Sequence, residues 1–284
     1  MKIGFVGAGK VGFTLGKYFK NKGLEVIGYY SRNRKSAREA ADFTGAREYE
    51  TIGQIVKDCQ ILFLTVPDGA IEELWRVIKN LDIQGKIICH CSGALTSEVF
   101  EGIEQRGAYG YSVHPFFAIN SKLNSYKALS QAFFTIEGDE KHANLLMDLI
   151  KKMGNPAHGI SSREKIKYHG AAVFLSNHVT ALAHVGSKIL KDCGFDDKMI
   201  QMALNTLFLN QSKSIAEKGM VESLTGPVER NDLATVHKHL ECLDEKESRL
   251  YSYLSEQLIE IAREKHAGSN YSEMEVLLKK TMEK

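Results

Sequence analysis

Three glycines near the amino terminus are spaced for contact with a phosphate group. An apolar, strand-like run precedes them, Lys2–Val6, and a helix-like stretch follows as far as Asn21. Between the two lies a G-x-G-x-x-G motif, formed by Gly7, Ala8, Gly9, Lys10, Val11 and Gly12. In such a motif the first glycine makes the turn, the second admits a pyrophosphate, and the third lets helix and strand pack closely. The unpaired N–H groups at the helix N-terminus attract the phosphate charge. We therefore predict a dinucleotide site here.

The residues after the second strand-like run, Glu25–Tyr29, indicate which dinucleotide is preferred. An NAD site usually has an acidic residue there, which binds the 2′-hydroxyl of the ribose. This chain reads Tyr30, Ser31, Arg32, Asn33, Arg34 and Lys35, with no carboxylate. Guanidinium groups bind phosphate with two parallel hydrogen bonds, so Ser31, Arg32 and Arg34 suit a 2′-phosphate. We predict NADP as the cofactor, with NAD less favoured; a solvated basic loop is the alternative.

Two further loops follow apolar runs, at the edge where open α/β sheets bind ligands. The first comprises Thr65, Val66, Pro67 and Asp68; the second comprises Cys91, Ser92, Gly93 and Ala94. We expect Val66, Pro67 and Asp68 to line one side of the cofactor. Ser92 and Gly93 would line the other side. Capping of the following helix is the alternative role for Asp68.

Other kinds of chemistry find little support in the sequence. Cys89, His90 and Cys91 are metal-binding residue types, but no second Cys pair or His cluster completes four ligands. We expect no metal site and assign these thiols a structural role. The G-x-S-x-G motif of a Ser-His-Asp hydrolase does not occur either.

Candidate proton donors lie on the fifth strand-like run and on a predicted helix, Arg163–Cys193. His114 ends the run Gly110–His114, at the same ligand-binding edge. On the helix a stripe of uncharged polar residues recurs at spacings near three, four and seven: His169, Ser176, Asn177, Thr180 and His184. This composition suits a polar cleft, although a solvated face would show the same spacing.

We predict His169 as the proton donor, with Asn177 on the same side of the helix to orient the substrate. Histidine is the side chain whose ordinary pKa best matches proton transfer near neutrality. His114 is the second candidate. It ranks below His169 because it precedes Pro115 in what reads as a rigid turn, which is a structural reason for a histidine there. The structural alternative is that His169 only forms a hydrogen bond between domains.

The elements that position these residues change in type near residue 160. Before it, strand-like runs alternate with helical stretches such as Gly69–Lys79 and Thr96–Arg106, and the last run is Ala132–Ile136. After it, only helical periodicities remain: Arg163–Cys193, Asp197–Lys218, Asp232–Leu243, Glu245–His266 and Tyr271–Met282. We predict an α/β Rossmann domain with a doubly wound, mostly parallel sheet in residues 1–160. An all-helical substrate and dimerisation domain would occupy residues 161–284.

Composition excludes several classes of protein. With 284 residues, 43% hydrophobic and 25% charged, the chain is neither disordered nor fibrous. A net charge of +2 gives no reason to expect nucleic acid or a membrane surface as a partner. No apolar run approaches the roughly 20 residues of a membrane helix. The 5 scattered cysteines and the absence of a secretory signal at the start predict a cytoplasmic protein with reduced thiols.

The motifs together resemble one family over nearly the whole chain. They read GAGKVG, SRN, VPDGAI, HCSGAL, SVHP, KYHGAAVFLSNHVTAL and LTGPVERND. The resemblance is to predicted NADP oxidoreductases with a Rossmann-like domain and a helical C-terminal domain of unknown function. More distantly, the chain is similar to pyrroline-5-carboxylate reductase, deazaflavin-dependent NADP reductases and the 6-phosphogluconate dehydrogenase-like superfamily. The chain departs from the family at Asn231, where glycine is usual. It also lacks the Lys-x-x-x-Asn pair of β-hydroxyacid dehydrogenases, because Val173 stands four residues before Asn177.

The resemblance implies hydride transfer between NADP and a small carbonyl, imine or hydroxyl substrate, and a homodimer through the helical half. Two alternatives stay open. One is a non-catalytic NADP-binding redox sensor or scaffold, which would need no proton donor. The other is a prephenate-type dehydrogenase, suggested by the His-Pro pair, for which Arg230 and Lys165 are the available cations. In the last motif Arg230 could reach a substrate carboxylate, or Asp232 could simply cap its helix.

Overall fold

A computed structural model describes residues 1–283 and divides the chain into two compact units. The first unit is Met1–Asn177 and the second begins at His178. The boundary predicted from the sequence, residue 160, lies one helix earlier. The predicted fold class is confirmed: a mostly parallel Rossmann sheet is followed by a helix-rich region.

The first unit contains one eight-stranded sheet with the order β3-β2-β1-β4-β5-β6-β7-β8. Its strands are β1 (Lys2–Val6), β2 (Glu25–Tyr30), β3 (Arg47–Glu48), β4 (Ile61–Leu64), β5 (Ile87–His90), β6 (Tyr109–Phe116), β7 (Phe133–Gly138) and β8 (Ala157–Gly159). Strands β1 to β6 are parallel, β7 is antiparallel to β6, and β8 is parallel to β7. The strand order reverses between β1 and β4, which opens a crevice at their carboxyl ends.

Helices cover the sheet because its central strands are apolar on both faces. All four residues of β4 are buried, and so are all four of β5. The helices of this unit are α1 (Lys10–Asn21), α2 (Arg34–Thr44), α3 (Ile52–Asp58), α4 (Ile71–Ile78), α5 (Glu140–Lys152) and α6 (Ser162–Leu175). In the core, the Phe5 ring stacks on Tyr29 at 5.3 Å and on Phe63 at 5.5 Å between ring centroids.

Two predicted helices differ in the structure. The stretch Thr96–Arg106 forms two 3₁₀ turns, Ser97–Val99 and Glu104–Arg106. Gly102, between them, has a φ of +77°, which no continuous helix permits. The stretch Gly69–Lys79 starts as a 3₁₀ turn, Asp68–Ala70, and continues as α4.

The long predicted helix Arg163–Cys193 is interrupted at Ser176. It forms α6 and a second helix, α7 (Asn177–Asp192). Ser176 has φ −130° and ψ −69°, and its hydroxyl donates to the carbonyl oxygen of Ala172 at 2.6 Å. A serine that bonds back to the preceding turn competes with the helical backbone, and the periodicity of the apolar residues does not register this.

The second unit is helical. Besides α7 it contains α8 (Asp197–Ala203), a π-helical segment (Leu204–Phe208), α9 (Leu209–Lys218), α10 (Met220–Ser223), α11 (Leu233–Cys242), α12 (Glu245–Lys265) and α13 (Ser272–Met282). Its core comprises Leu224, Val236, Ile259, Met274 and Leu278. No helix within residues 1–283 has the length and hydropathy needed to cross a membrane.

The conformation of the loop before α11 explains why asparagine can replace the glycine that is usual at position 231. Asn231 has a φ of +55°, in the left-handed region that glycine adopts most readily and asparagine tolerates. Asp232 then caps α11, since its carboxylate accepts from the backbone N–H of Thr235 at 3.0 Å and from its hydroxyl at 2.7 Å. The capping role considered for Asp232 is therefore confirmed.

We expect Gly16→Ala to destabilise the first unit by about 1–3 kcal/mol, the usual effect of overpacking a core. A Cβ at Gly16 would overlap the hydroxyl of Tyr29, which is fully buried. Gly53→Ala is the matched control, because only Thr51 Oγ1 lies near its added Cβ, at 4.0 Å. Urea unfolding of both variants measures the difference, and equal midpoints would contradict the prediction.

Candidate functional site

The turn between β1 and α1 packs against the end of β4. Gly7 has a φ of +105°, and a Cβ there would lie 2.6 Å from the carbonyl oxygen of Thr65. A Cβ at Gly12 would overlap the Gly7 carbonyl oxygen, so these two positions require glycine. The Thr65 hydroxyl donates to that same carbonyl oxygen at 2.8 Å. Gly9, by contrast, has open space at its Cβ position, which lets a ligand approach the backbone.

The amino terminus of α1 is left open for an anion. Its N-cap is Gly9, no side chain caps it, and its first turn contains no acidic residue. The terminal N–H groups and the positive end of the helix dipole are therefore available to a phosphate group.

A cavity of 310 Å³ lies on one side of this turn. Among its lining residues are Gly7, Ala8, Gly9, Ser31, Arg32, Val66 and Pro67. Arg34, which the sequence grouped with Ser31 and Arg32, does not line the cavity. Its guanidinium instead pairs with Glu48 at 3.2 Å and with Glu50 at 2.9 Å.

A second cavity, of 380 Å³, lies on the other side of the turn. It is lined by Gly9, Lys10, Val11, Thr65, Val66, Pro67, Asp68, Cys91 and Ser92. Asp68 does not cap a helix; its carboxylate accepts from the Ser92 hydroxyl at 2.7 Å. Ser92 Oγ in turn accepts from the backbone N–H groups of Ala94 and Leu95, so the loop after β5 is held by hydrogen bonds.

The two cavities share the glycine turn, so the residues present fit a dinucleotide with its pyrophosphate at the turn. One cavity would take each nucleoside half. Gly93 lines neither cavity and contacts two histidines instead. A Cβ at Gly93 would lie 2.6 Å from Nδ1 of His169 and 3.0 Å from Nε2 of His114.

A third cavity, of 350 Å³, contains all three residues that the sequence proposed for chemistry. It is lined by His114, Phe116, Phe117, Ala118, His169, Ala172, Val173, Leu175, Ser176 and Asn177. Asn177 lies across the break at Ser176 rather than further along the same helix, and its Oδ1 lies 3.0 Å from the Ser176 hydroxyl oxygen. Thr180 and His184, the other members of the predicted stripe, are exposed residues of the second unit.

His90 is buried and His114 is half-buried, and both are uncharged at neutral pH. His114 Nδ1 is hydrogen-bonded to the Tyr168 hydroxyl at 2.7 Å, and burial lowers the pKa of His114 to about 3. Burial also lowers the pKa of His90 to about 4. His90 Nδ1 accepts from the backbone N–H of Ser92, so its Nε2 donates to the carbonyl oxygen of Thr96. Both nitrogens of His90 therefore have backbone partners.

These histidines belong to a larger set of polar side chains between the sheet and α6, which we call the polar layer. Its members are His90, Ser112, His114, Thr135 and Glu137 from the sheet, and Lys165, Tyr168 and His169 from α6. Strand register pairs Ser112 with both His90 and Glu137, and His114 with Thr135. These sheet residues therefore share one face.

Tyr168 and Glu137 were not identified as site residues from the sequence, and Lys165 was considered only as a cation for the prephenate-type alternative. Lys165 is fully buried, and burial lowers its pKa to about 8. The spacing of Lys165, Tyr168 and His169, at i, i+3 and i+4, could have indicated that they share a helical face. In residues 1–283 no three or more His, Cys, Asp or Glu side chains form a group able to hold a metal ion, and Cys89 packs in the hydrophobic core.

Two family models match the chain. Residues 1–115 match the Rossmann-like domain, and residues 132–258 match a domain of unknown function, DUF2520. The chain therefore combines these two domains, and the resemblance drawn from its motifs is confirmed.

Several known proteins are similar to this chain. The "putative 6-phosphogluconate dehydrogenase YqeC" of Bacillus subtilis (strain 168) is 29% identical over 90 residues, which are 31% of this chain and only 30% of that protein's length. The crystal structure of protein TM1727 from Thermotoga maritima has 29% identity and a TM-score of 0.65, over 99% of this chain and 98% of that one.

Two further crystal structures share the fold. The "putative NADP oxidoreductase BF3122" of Bacteroides fragilis has 24% identity and a TM-score of 0.69, over 91% of this chain and 98% of that one. The imine reductase of Myxococcus stipitatus in complex with NADP⁺ has 16% identity and a TM-score of 0.62, over 100% and 94%. At these identities the likeness concerns the fold.

Proposed function

We propose that the protein is an NADP-dependent oxidoreductase that transfers hydride between nicotinamide and a small carbonyl, imine or hydroxyl substrate. One observation carries the proposal: two cavities flank the glycine turn, and the Ser92–Gly93 loop leads from one of them to the His114–His169 cavity. A dinucleotide site beside a polar pocket is the arrangement that hydride transfer requires. The NADP-linked descriptions of the two structures of similar fold support the same class.

The glycine turn and the open end of α1 would hold the pyrophosphate. Ser31 and Arg32, which line the 310 Å³ cavity, would bind the 2′-phosphate. Arg34 would support the same loop through its pairs with Glu48 and Glu50. Val66, Pro67, Asp68 and Ser92 would enclose the nicotinamide side.

NADPH should bind more tightly than NADH, and Arg32→Ala should cost about 1.5–3 kcal/mol of NADPH binding, the range for hydrogen bonds to charged groups. Arg38→Ala is the control, since Arg38 pairs with Glu48 at 3.0 Å and does not line the cavity. Calorimetric titration of both cofactors into the three proteins tests this. Equal affinities of the unmodified protein for NADPH and NADH would refute the cofactor assignment.

When bound, the nicotinamide supplies or accepts the hydride. Reduction of a C=O or C=N bond places charge on the heteroatom, which a positioned acid must protonate. We assign this role to His169, because His114 has a strongly lowered pKa and its Nδ1 is committed to Tyr168. His169 Nδ1 is buried, so Nε2 is the ring nitrogen that can reach a substrate in the cavity. His114 Nε2 and the Asn177 amide would orient that substrate.

His169→Ala should lower turnover by roughly 10²–10⁴, the usual contribution of a general acid, without changing NADPH affinity. His158→Ala is the control, because His158 is an exposed histidine on β8. Stopped-flow absorbance at the nicotinamide band measures turnover. If His169→Ala lowers only the melting temperature and leaves turnover intact, the histidine is structural.

The non-catalytic alternative is separated from the enzyme by a simple assay. Steady-state oxidation of NADPH with a panel of imines, 2-oxo acids and simple ketones supports an enzyme if any member is reduced. A protein that binds NADPH tightly but reduces none of the panel fits a redox sensor or scaffold better.

We also propose a homodimer formed through the helical unit. Large apolar side chains are exposed there, including Leu182, Met199, Met202, Leu207, Leu209 and Met220. On α12, Leu250 and Leu254 are 37% and 39% exposed, whereas Leu258 and Ile261 pack on the core of their own unit. Exposure of many large apolar side chains to water is unfavourable, and a second copy of the chain would bury them.

Light scattering at micromolar protein should give twice the 31.7 kDa of one chain. Leu207→Glu should shift the mass towards 31.7 kDa, because it places a charge in the apolar surface. Leu123→Glu, at an exposed leucine of the first unit, should leave the dimer intact. A monomer in all three samples would exclude the dimer.

A cytoplasmic location also stays a proposal. Its support is that all five cysteines are free thiols, as expected in a reducing compartment.

A further inference from the structure

Two nitrogen atoms in the polar layer have no hydrogen-bond partner among the described residues. One is Nζ of Lys165, whose side chain has no exposed surface, and the other is Nδ1 of His169. Burying a polar group without a hydrogen bond is costly, and more so for an ammonium group. The hydroxyl of Thr135 is a third such atom in the layer, on the sheet side. The two nitrogens both belong to α6 and call for a shared explanation.

The two groups are chemically complementary, and their residues lie about one turn apart on α6. An ammonium group is a donor only, while one nitrogen of a neutral imidazole is an acceptor. Lys165 and His169 are four residues apart on α6, so their side chains are neighbours on the same helical face. A buried water molecule characteristically joins polar groups that lack protein partners.

We propose that Lys165 is hydrogen-bonded to Nδ1 of His169 through one internal water, which fixes the hydrogen of His169 on Nε2, and that Lys165 restores the proton that His169 gives to product. Lys165 is thus a positioning residue that acts through His169. The tautomer stands on the geometry of the layer, and the proton return rests on the proposed function.

As the substrate heteroatom receives the electron pair of the hydride from reduced nicotinamide, it forms a bond to the hydrogen of His169 Nε2. His169 Nδ1 takes a proton from the water, and the water takes one from the Lys165 ammonium, which becomes a neutral amine. Solvent in the substrate cavity then protonates Nε2 of His169. Nδ1 passes its proton back through the water to the Lys165 amine, which restores the starting tautomer and the ammonium group.

Glu137 favours the charged form of Lys165, so it helps the amine to regain its proton. It is 5% exposed, lines an open cavity of 840 Å³, and accepts from the backbone N–H and the hydroxyl of Ser97, both at 2.8 Å. The other titratable groups that face Lys165 are His90, His114, Cys91, Asp68, Tyr168 and His169. Burial lowers the pKa of Lys165 to about 8 against the favourable charge of Glu137, so Lys165 can exchange a proton near neutrality.

Nitrogen NMR of histidine-labelled protein tests the tautomer without any substrate. In the unmodified protein at pH 7, His169 should carry its hydrogen on Nε2, and its resonances should shift with a midpoint near pH 8 as Lys165 loses its proton. Lys165→Met should abolish the shift and mix the tautomers. Lys167→Met, at an exposed lysine of α6, should change neither. Hydrogen on Nδ1 in the unmodified protein, or no response to Lys165→Met, would overturn the proposal.

Kinetics test the proton return with whichever substrate the NADPH assay identifies. Lys165→Met and Lys165→Arg should both lower kcat by roughly 10²-fold, because arginine keeps the charge but cannot release a proton. In the unmodified protein kcat should fall above about pH 8. Near-normal kcat in Lys165→Arg would reduce Lys165 to a fixed charge and overturn the return step.

The failures are distinguishable. A protein that reduces no substrate contradicts the proposed function, whereas a His169 unresponsive to Lys165 contradicts this inference alone. Thermal unfolding and NADPH binding of each variant confirm that it is folded.

Discussion

The close approach of the β1–α1 turn to the end of β4 is the constraint on which the candidate site depends. Gly7, Gly12 and Thr65 meet so closely that two of them can carry no side chain. This contact fixes the start of α1 at the point where the strand order reverses. Both cofactor-sized cavities are walled by the same turn, so a displacement of the turn would change both.

The glycine turn could be predicted from sequence because its information is local. Strand, turn and helix are consecutive. Gly7 and Gly12 are required by backbone contacts within a few residues or with one neighbouring strand, and Gly9 leaves room for a ligand. The same is true of Asp232, whose capping bonds reach only three residues along the chain. The interruption at Ser176 is also local, but it depends on one side-chain hydrogen bond rather than on periodicity, and a continuous polar stripe concealed it.

The polar layer could not be predicted in the same way. Its members come from β5, β6, β7 and α6, and the register that brings Ser112 opposite Glu137 is a property of the assembled sheet. The antiparallel strand β7 also changes the pattern, since an alternating α/β reading expects another parallel strand. His114 and His169 could be predicted because the ordinary pKa of histidine suits a proton donor near neutrality. The roles of Lys165 and Tyr168 in the layer could not be predicted, because lysine and tyrosine on a helix usually cover its solvent face.

A buried lysine beside neutral histidines lowers the stability of the folded state. An apolar side chain at position 165 would fill the space without desolvating an ammonium group, and replacements of that kind are often neutral or stabilising. The layer adjoins the Gly93 loop, where His114 and His169 pack against the backbone of Gly93. Hydride transfer develops charge on a substrate heteroatom. In a layer of low dielectric constant, the electrostatic interaction of that charge with nearby protons and dipoles is stronger than it would be in water. The same burial that makes Lys165 costly to fold brings its pKa to about 8, where giving and regaining a proton are both accessible near neutral pH.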